Sequence, residues 1–153
     1  MNLDLYPMKI ALEEAKKCFA LGEVPIGAVI TNKTGKIISK AGNRVETSND
    51  PTAHAEILAI RQASKILNQW RLTECNIYVT LEPCAMCSSA ISNSRIKRLF
   101  FGCEDKKSGG VNNGAKIFSN KNCHHVPEIY DGFSEKECET MIKNFFLKIR
   151  KKI

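Results

Sequence analysis

The sequence predicts an α/β fold, and three observations carry that prediction. β-like and helix-like segments alternate through the middle of the chain, the pattern that builds a sheet flanked by helices. An amphipathic helix precedes this alternation and a capped, basic helix follows it. The whole spans 153 residues, enough for one domain that buries roughly 68–70% of its unfolded surface without covalent staples.

The opening helix runs from about Pro7 to Leu21, with Met8, Leu12, Ala15 and Phe19 on one stripe and Gly22 as its stop. Two β-like segments, Val24 to Thr31 and Gly35 to Asn43, are joined by Asn32, Lys33, Thr34 and Gly35, which reads as a hairpin. A helix from Thr52 to Leu67 follows, with Asp50 as its cap and Pro51 near its first turn. Then come a strand at Asn76 to Thr80, a helix opened by Pro83 and running from Cys84 to about Asn93, and a strand at Lys97 to Gly102. Glu104 to Gly114 is a polar lip in which Gly109, Gly110 and Gly114 permit unusual backbone conformations. His125 to Tyr130 is a weaker strand, interrupted by Pro127. Ser134 and Glu137 form a capping box for a closing helix that extends to about Lys151. There is no repeat, linker or second domain, so residues 1–153 read as a single unit.

Composition narrows the class. Seven cysteines is an odd number, and Cys18, Cys75, Cys103, Cys123 and Cys138 show no ligand-like spacing, as expected of buried or incidental thiols in a reducing compartment. Asp4 beside Met1 and the lack of a long apolar run predict no leader, no membrane span and a cytoplasmic protein. The net charge of +7 suggests a polyanionic partner. Lys143, Lys148, Arg150, Lys151 and Lys152 crowd the closing helix around Phe145 and Phe146, although a solvated helix end gives the same pattern.

Chemistry concentrates in two short segments, His54-Ala55-Glu56 and Pro83-Cys84-Ala85-Met86-Cys87. His54, Cys84 and Cys87 supply three nitrogen and thiolate ligands and leave a fourth zinc position open for water. Bound zinc lowers the pKa of its water to about 7, and Glu56 is the carboxylate that moves protons. The combination predicts hydrolytic deamination, with one zinc per chain. Helical positions two apart differ by roughly 200° in direction, so His54 and Glu56 converge only beyond a helix N-terminus. A second helix opening at Cys84 aims its positive end at the same point. A closed site completed by Cys123 and His124 or His125, or a dithiol redox pair, would leave His54 and Glu56 without a role.

On these motifs the chain resembles the bacterial tRNA-specific adenosine deaminases. The resemblance spans nearly the whole chain and is carried by residues 22–29, by Asn43-Arg44, by residues 49–56 and by residues 78–84, with the 105–109 segment and Phe145-Phe146 in support. It implies a three-layer α/β/α fold on a five-stranded mixed sheet, of the cytidine-deaminase-like kind, and a homodimer with active sites near the interface. It also implies conversion of adenosine to inosine at the wobble position of a tRNA anticodon, with zinc-bound hydroxide attacking C6 and Glu56 as proton shuttle. The residue matching Asn43 hydrogen-bonds the flipped base, and backbone donors near Ala55 and Cys84 are candidates to orient it. Glu104, Asp105, Lys107, Ser108, Phe146 and Arg150 match residues expected to approach the anticodon stem-loop, the last two by stacking. The zinc and glutamate motifs alone define only the wider superfamily. A deaminase of free guanine or cytosine is the alternative, although a free base has no phosphates for the basic tail to neutralise.

Overall fold

The computed structural model describes residues 6–151. The amino-terminal reading from Met1 and Asp4, and Lys152 of the basic tail, lie outside the described residues.

The chain enters through helix α1 (Tyr6–Ala20), followed by strands β1 (Gly27–Thr31) and β2 (Ile37–Gly42). Helices α2 (Val45–Ser48) and α3 (Ala55–Leu67) lead to β3 (Asn76–Leu81), α4 (Ala85–Asn93) and β4 (Arg98–Cys103). After the lip come a single 3-10 turn at Ile117–Ser119, β5 (Glu128–Tyr130) and α5 (Glu135–Arg150). The five strands form one mixed sheet in the order β2-β1-β3-β4-β5. β1 is antiparallel to β2 and β3, whereas β3, β4 and β5 are parallel. The predicted α/β class and five-stranded mixed sheet are both present.

Side-chain alternation explains the three layers. Ala28, Ile30, Ile77, Val79, Leu99 and Phe101 face one way and pack with the α3 alanines and Ile91 of α4. Val29, Tyr78 and Phe100 face the other way, onto Met8 and Ala11 of α1, and Leu12 joins Cys138 of α5 beside them. Ala55, Ala59 and Ala63 are each fully buried. Their four-residue spacing gives α3 a side-chain-poor stripe against the hairpin, and the Ser39 hydroxyl donates to the Ala59 carbonyl at 2.8 Å. On the α1 face, rings stack across the parallel strands, Tyr78 on Phe100 at 4.5 Å and Phe100 on Tyr130 at 5.0 Å.

The hairpin turn is built as its residues predict. The Asn32 side-chain oxygen accepts from the Thr34 and Lys36 amides and from the Thr34 hydroxyl. Two expected helix caps are not formed. The helix assigned to Thr52 begins at Ala55, because the Asp50 carboxylate accepts from the Thr52 amide and hydroxyl and closes a local turn. The Ser134–Glu137 capping box does not form. Ser134 has φ 54 and ψ 36, with no side-chain cap bond, whereas a capping serine needs extended backbone to reach the helix amides. The short helix at Val45–Ser48 and the 3-10 turn have no counterpart in the expected elements.

Because β1 runs against its neighbours, the start of β1 meets the ends of β2, β3 and β4 at one edge of the sheet. The segments leaving that edge carry Asn43, Pro83 and Glu104.

Candidate active site

His54 and Cys84 occupy equivalent positions, each as the extended residue before a helix, with φ/ψ of −74/151 and −70/177. This resolves the geometric difficulty of His54 and Glu56 on one helix. His54 stands outside α3, while Glu56 is its second residue. Cys87 sits in the first turn of α4. Pro83 precedes the cap instead of opening the helix, and its carbonyl accepts from the Ser88 hydroxyl and the Gly110 amide.

His54 Nδ1 lies 3.6 Å from Cys84 Sγ and 3.4 Å from Cys87 Sγ, and the three ligand atoms all fall within 4.8 Å of one another. A tetrahedral zinc bonded at about 2.1 Å to nitrogen and about 2.3 Å to sulfur holds its ligands about 3.5–3.8 Å apart. The donor set therefore fits zinc in residue type and separation. Among the described residues it is the one such His/Cys/Asp/Glu cluster. The closed-site alternative is not assembled, since Cys123 Sγ contacts Ser92 Oγ at 3.3 Å and the His125 carbonyl at 3.2 Å, and His125 Nε2 bonds the Ile96 carbonyl.

The titrating groups shift as a crowded site requires. Hydrogen bonding from Cys87 brings the Cys84 thiol down to about 4, with His54 contributing. Cys87 is held well above its ordinary value, chiefly by the same bond to Cys84. The bond to Cys84 raises His54. Burial pushes Glu56 up to about 7. Glu56 is 4% exposed, and its Oε1 has no hydrogen-bond partner among the described residues, an acceptor left available beside the ligands.

His54, Glu56 and Cys84 form the floor of a groove of about 1450 Å³, and Cys87, fully buried, does not line it. One wall comes from the segments around Glu23 and Asn43, a second from the lip, and a third from α5. Of the expected site residues, His54, Glu56, Cys84, Asn43, Glu104, Asp105, Lys107, Ser108 and Phe146 line it. Ala55 is fully buried directly behind, and Arg150 at the end of α5 does not line the groove. Asn43 is 6% exposed, and its amide makes only long contacts, Nδ2 to the Val24 carbonyl and Oδ1 from the Val45 amide, both at 3.4 Å. Donor and acceptor capacity therefore remains for a ligand. Arg44 braces the Asn43 carbonyl at 3.0 Å.

The aromatic pair of the closing helix divides its roles. Both line the groove, but Phe145 is buried and meets Phe19 edge-on at 5.7 Å, whereas Phe146 is 42% exposed. Within the lip, Asp105 turns its carboxylate to the Lys107 and Ser108 amides. Glu104 accepts from the Asn112 side chain. Both acids thus shape the lip, and the outward cations are Lys106 and Lys107.

Several lining residues escape sequence reasoning. Lys106 and the α5 residues Ile142 and Ile149 face the groove. Two buried carboxylates, Glu23 and Glu82, also line it. Glu23, fully buried, accepts from the Glu46 and Thr47 amides. Glu82 accepts from the Asp105, Val111, Asn112 and Asn113 amides and from the Asn113 side chain. Both fall inside segments that carry the family resemblance, residues 22–29 and 78–84, but no local pattern marks either as a buried carboxylate.

Residues 1–103 match the family model of the cytidine and deoxycytidylate deaminase zinc-binding region. The tRNA-specific adenosine deaminase of Agrobacterium fabrum is 48% identical over 139 residues, covering 91% of each chain. A solved structure from a study of A-to-I editing by tRNA:A34 deaminases at the wobble position superposes with a TM-score of 0.88. It has 46% identity and covers 90% of this chain and 99% of that one. Guanine deaminase from Nitrosomonas europaea shares the fold, with a TM-score of 0.80 at 20% identity over 95% of this chain and 85% of that one.

Proposed function

The chain belongs to the cytidine and deoxycytidylate deaminase family, among the tRNA-specific adenosine deaminases, and from that membership we propose that it hydrolyses adenosine to inosine at the wobble position of a tRNA anticodon. Residues 1–153 act as a single zinc-dependent deaminase domain, one zinc per chain, in a cytoplasmic homodimer. No helix among the described residues is long and apolar enough to cross a membrane.

The observation that carries the reading is the unpartnered Glu56 Oε1 at the floor of a groove far larger than a nucleobase. Small-molecule pockets span about 300–1,000 Å³, so a groove of about 1450 Å³ that continues past the lip and Phe146 suits a base presented on a longer strand. Likeness to guanine deaminases is less complete. That of Nitrosomonas europaea shares the fold alone at 20% identity. That of Bacillus subtilis, 43% identical, matches 68% of this chain with a TM-score of 0.63, against 90% and 0.88 for the tRNA:A34 deaminase structure.

His54, Cys84 and Cys87 would hold the metal, which when bound supplies a water acidic enough to attack at neutral pH. Glu56 takes the proton from the attacking water and delivers it to the ring nitrogen next to C6. A second transfer through Glu56 protonates the departing amine, so adenosine and water yield inosine and ammonia. Burial keeps this carboxyl away from bulk water and close to neutral pH in affinity. The Asn43 amide pairs with the purine edge, and backbone donors at Ala55 and Cys84 orient the base. Lys107 and Ser108 on the lip and Phe146 on α5 meet the flanking nucleotides, Phe146 by stacking. Glu104 and Asp105 support that contact by holding the lip in shape. Arg150 contacts the stem beyond the groove.

The test is incubation with an anticodon stem-loop, total tRNA and free nucleobases in parallel. Inosine at the wobble position, with matching release of ammonia, is expected from the RNA substrates. Comparable turnover of free guanine or cytosine with no product from RNA would overturn the reading.

A further inference from the structure

We propose that Glu82 is a positioning residue that ties the lip to the segment carrying Cys84, and that this tie sets how tightly the RNA is held and leaves the deamination chemistry largely unchanged. The proposal rests on the lip being an RNA-contacting wall, as argued above.

Glu82 is 2% exposed and lies two residues before Cys84, between the end of β3 and the start of α4. Its two oxygens divide the lip between them. Oε1 accepts from the Asp105 amide at 3.2 Å and from the Asn113 side chain at 2.7 Å. Oε2 accepts from the consecutive Val111, Asn112 and Asn113 amides, each at 3.1 Å. One side chain therefore pins both ends of the loop whose tip carries Lys106, Lys107 and Ser108. Amides turned inward in this way, without a partner of their own in the loop, depend on an anion to satisfy them.

Glycine makes the close approach possible. A Cβ at Gly109 would collide with the Glu82 carboxylate, and one at Gly110 would lie 2.6 Å from the Ala85 amide nitrogen. The Gly110 amide donates to the Pro83 carbonyl at 2.8 Å. The lip is thus bound to residues 82 and 83, immediately ahead of Cys84, while its tip projects into the groove. The metal ligands have their own supports in α3 and α4, so loosening the lip leaves them in place.

Glu82→Gln keeps the shape but replaces one acceptor oxygen with an amide donor facing donors. Three measurements test the proposal in the zinc-loaded protein. Amide hydrogen exchange at residues 105–113 is expected to accelerate by ~10-fold or more, with α3 and α4 unchanged, because charged hydrogen bonds are replaced by weaker ones. Zinc content is expected to stay at the parental level. KM for an anticodon stem-loop is expected to rise by about 10-fold with kcat within about 3-fold, the pattern of lost uniform binding. Asn113→Ala, which removes one donor without disturbing the buried carboxylate, is expected to give the same exchange pattern at smaller amplitude and guards against a folding defect in the glutamine variant. Unchanged lip exchange, exchange raised equally across the whole protein, or a kcat loss with unchanged KM would overturn the assignment. Exchange and zinc content do not depend on which substrate is deaminated, so a parent protein inactive on RNA would count against the proposed function and leave the Glu82 anchor separately decided.

Discussion

His54 Nδ1 and Cys87 Sγ stand 3.4 Å apart although thirty-three residues separate them in sequence. They meet because His54 ends an extended segment where α3 begins and Cys87 lies in the first turn of α4. Removing one thiolate from a three-residue ligand set leaves too few donors for a stable site. Cys84→Ser is therefore expected to abolish zinc binding, measured as metal per chain after chelator challenge. Cys123→Ser, which loses only contacts to Ser92 and the His125 carbonyl, is expected to keep about one zinc. Zinc lost in the second variant alone would revive a structural site.

Glu56 is not a ligand in this arrangement, so its removal separates metal from chemistry. Glu56→Ala should fold and load zinc as the parent does, while the rate of inosine formation falls by about 10²–10⁴-fold, the range ascribed to a positioned general acid–base. A variant as active as the parent would rule out the proton-shuttle role.

Phe146 and Arg150 lie one helical turn apart, yet only Phe146 lines the groove. A base stacked on an aromatic ring contributes about 1–3 kcal/mol, so Phe146→Ala is expected to raise KM for an anticodon stem-loop by about 5- to 150-fold. Arg150→Ala should have the smaller effect, and the reverse order would place the RNA differently along α5.

Lys106, Lys107 and Lys143 line the same groove. Activity on the stem-loop is expected to fall steeply with added salt, and each lysine replaced by alanine should reduce the log–log salt slope by about 0.7, the value for a single-strand phosphate contact. A slope unchanged in all three variants would remove these lysines from the RNA path.

Phe101 of β4 is fully buried between the sheet and the α3–α4 layer. Phe101→Ala should destabilise the protein by about 3–5 kcal/mol in denaturant unfolding of the zinc-loaded form. A loss below about 1 kcal/mol would mean that the cavity collapses.

Much of this architecture was legible in sequence because its signals are local. Continuous apolar runs in β3 and β4, the alanine and methionine stripe of α1, and asparagine at the hairpin turn each act over a few residues. His54, Glu56, Cys84 and Cys87 were legible because metal chemistry restricts residue type and spacing. The misread features depend on distant partners or on backbone angles. Asp50 resembles a helix cap but serves a turn three residues earlier. Ser134 has the composition of a capping box and the wrong φ for one. The lip glycines were read as a source of backbone freedom, yet only Gly114 among them has positive φ, at 56, and Gly109 and Gly110 instead admit close neighbours. Glu23 and Glu82 find their donors more than twenty residues away, a relationship no local pattern encodes.

The mixed sheet gathers every site-bearing segment at one edge while assigning them to different supports. His54, Glu56, Cys84 and Cys87 hang from the starts of two helices that pack on the sheet face. Asn43, the lip and α5 hang from strand ends and from the chain's last crossover. Reaction and recognition are consequently separable inheritances. Insertions or deletions within residues 104–116 can redraw which strand or base enters the groove, while the atoms that break the carbon–nitrogen bond keep their spacing.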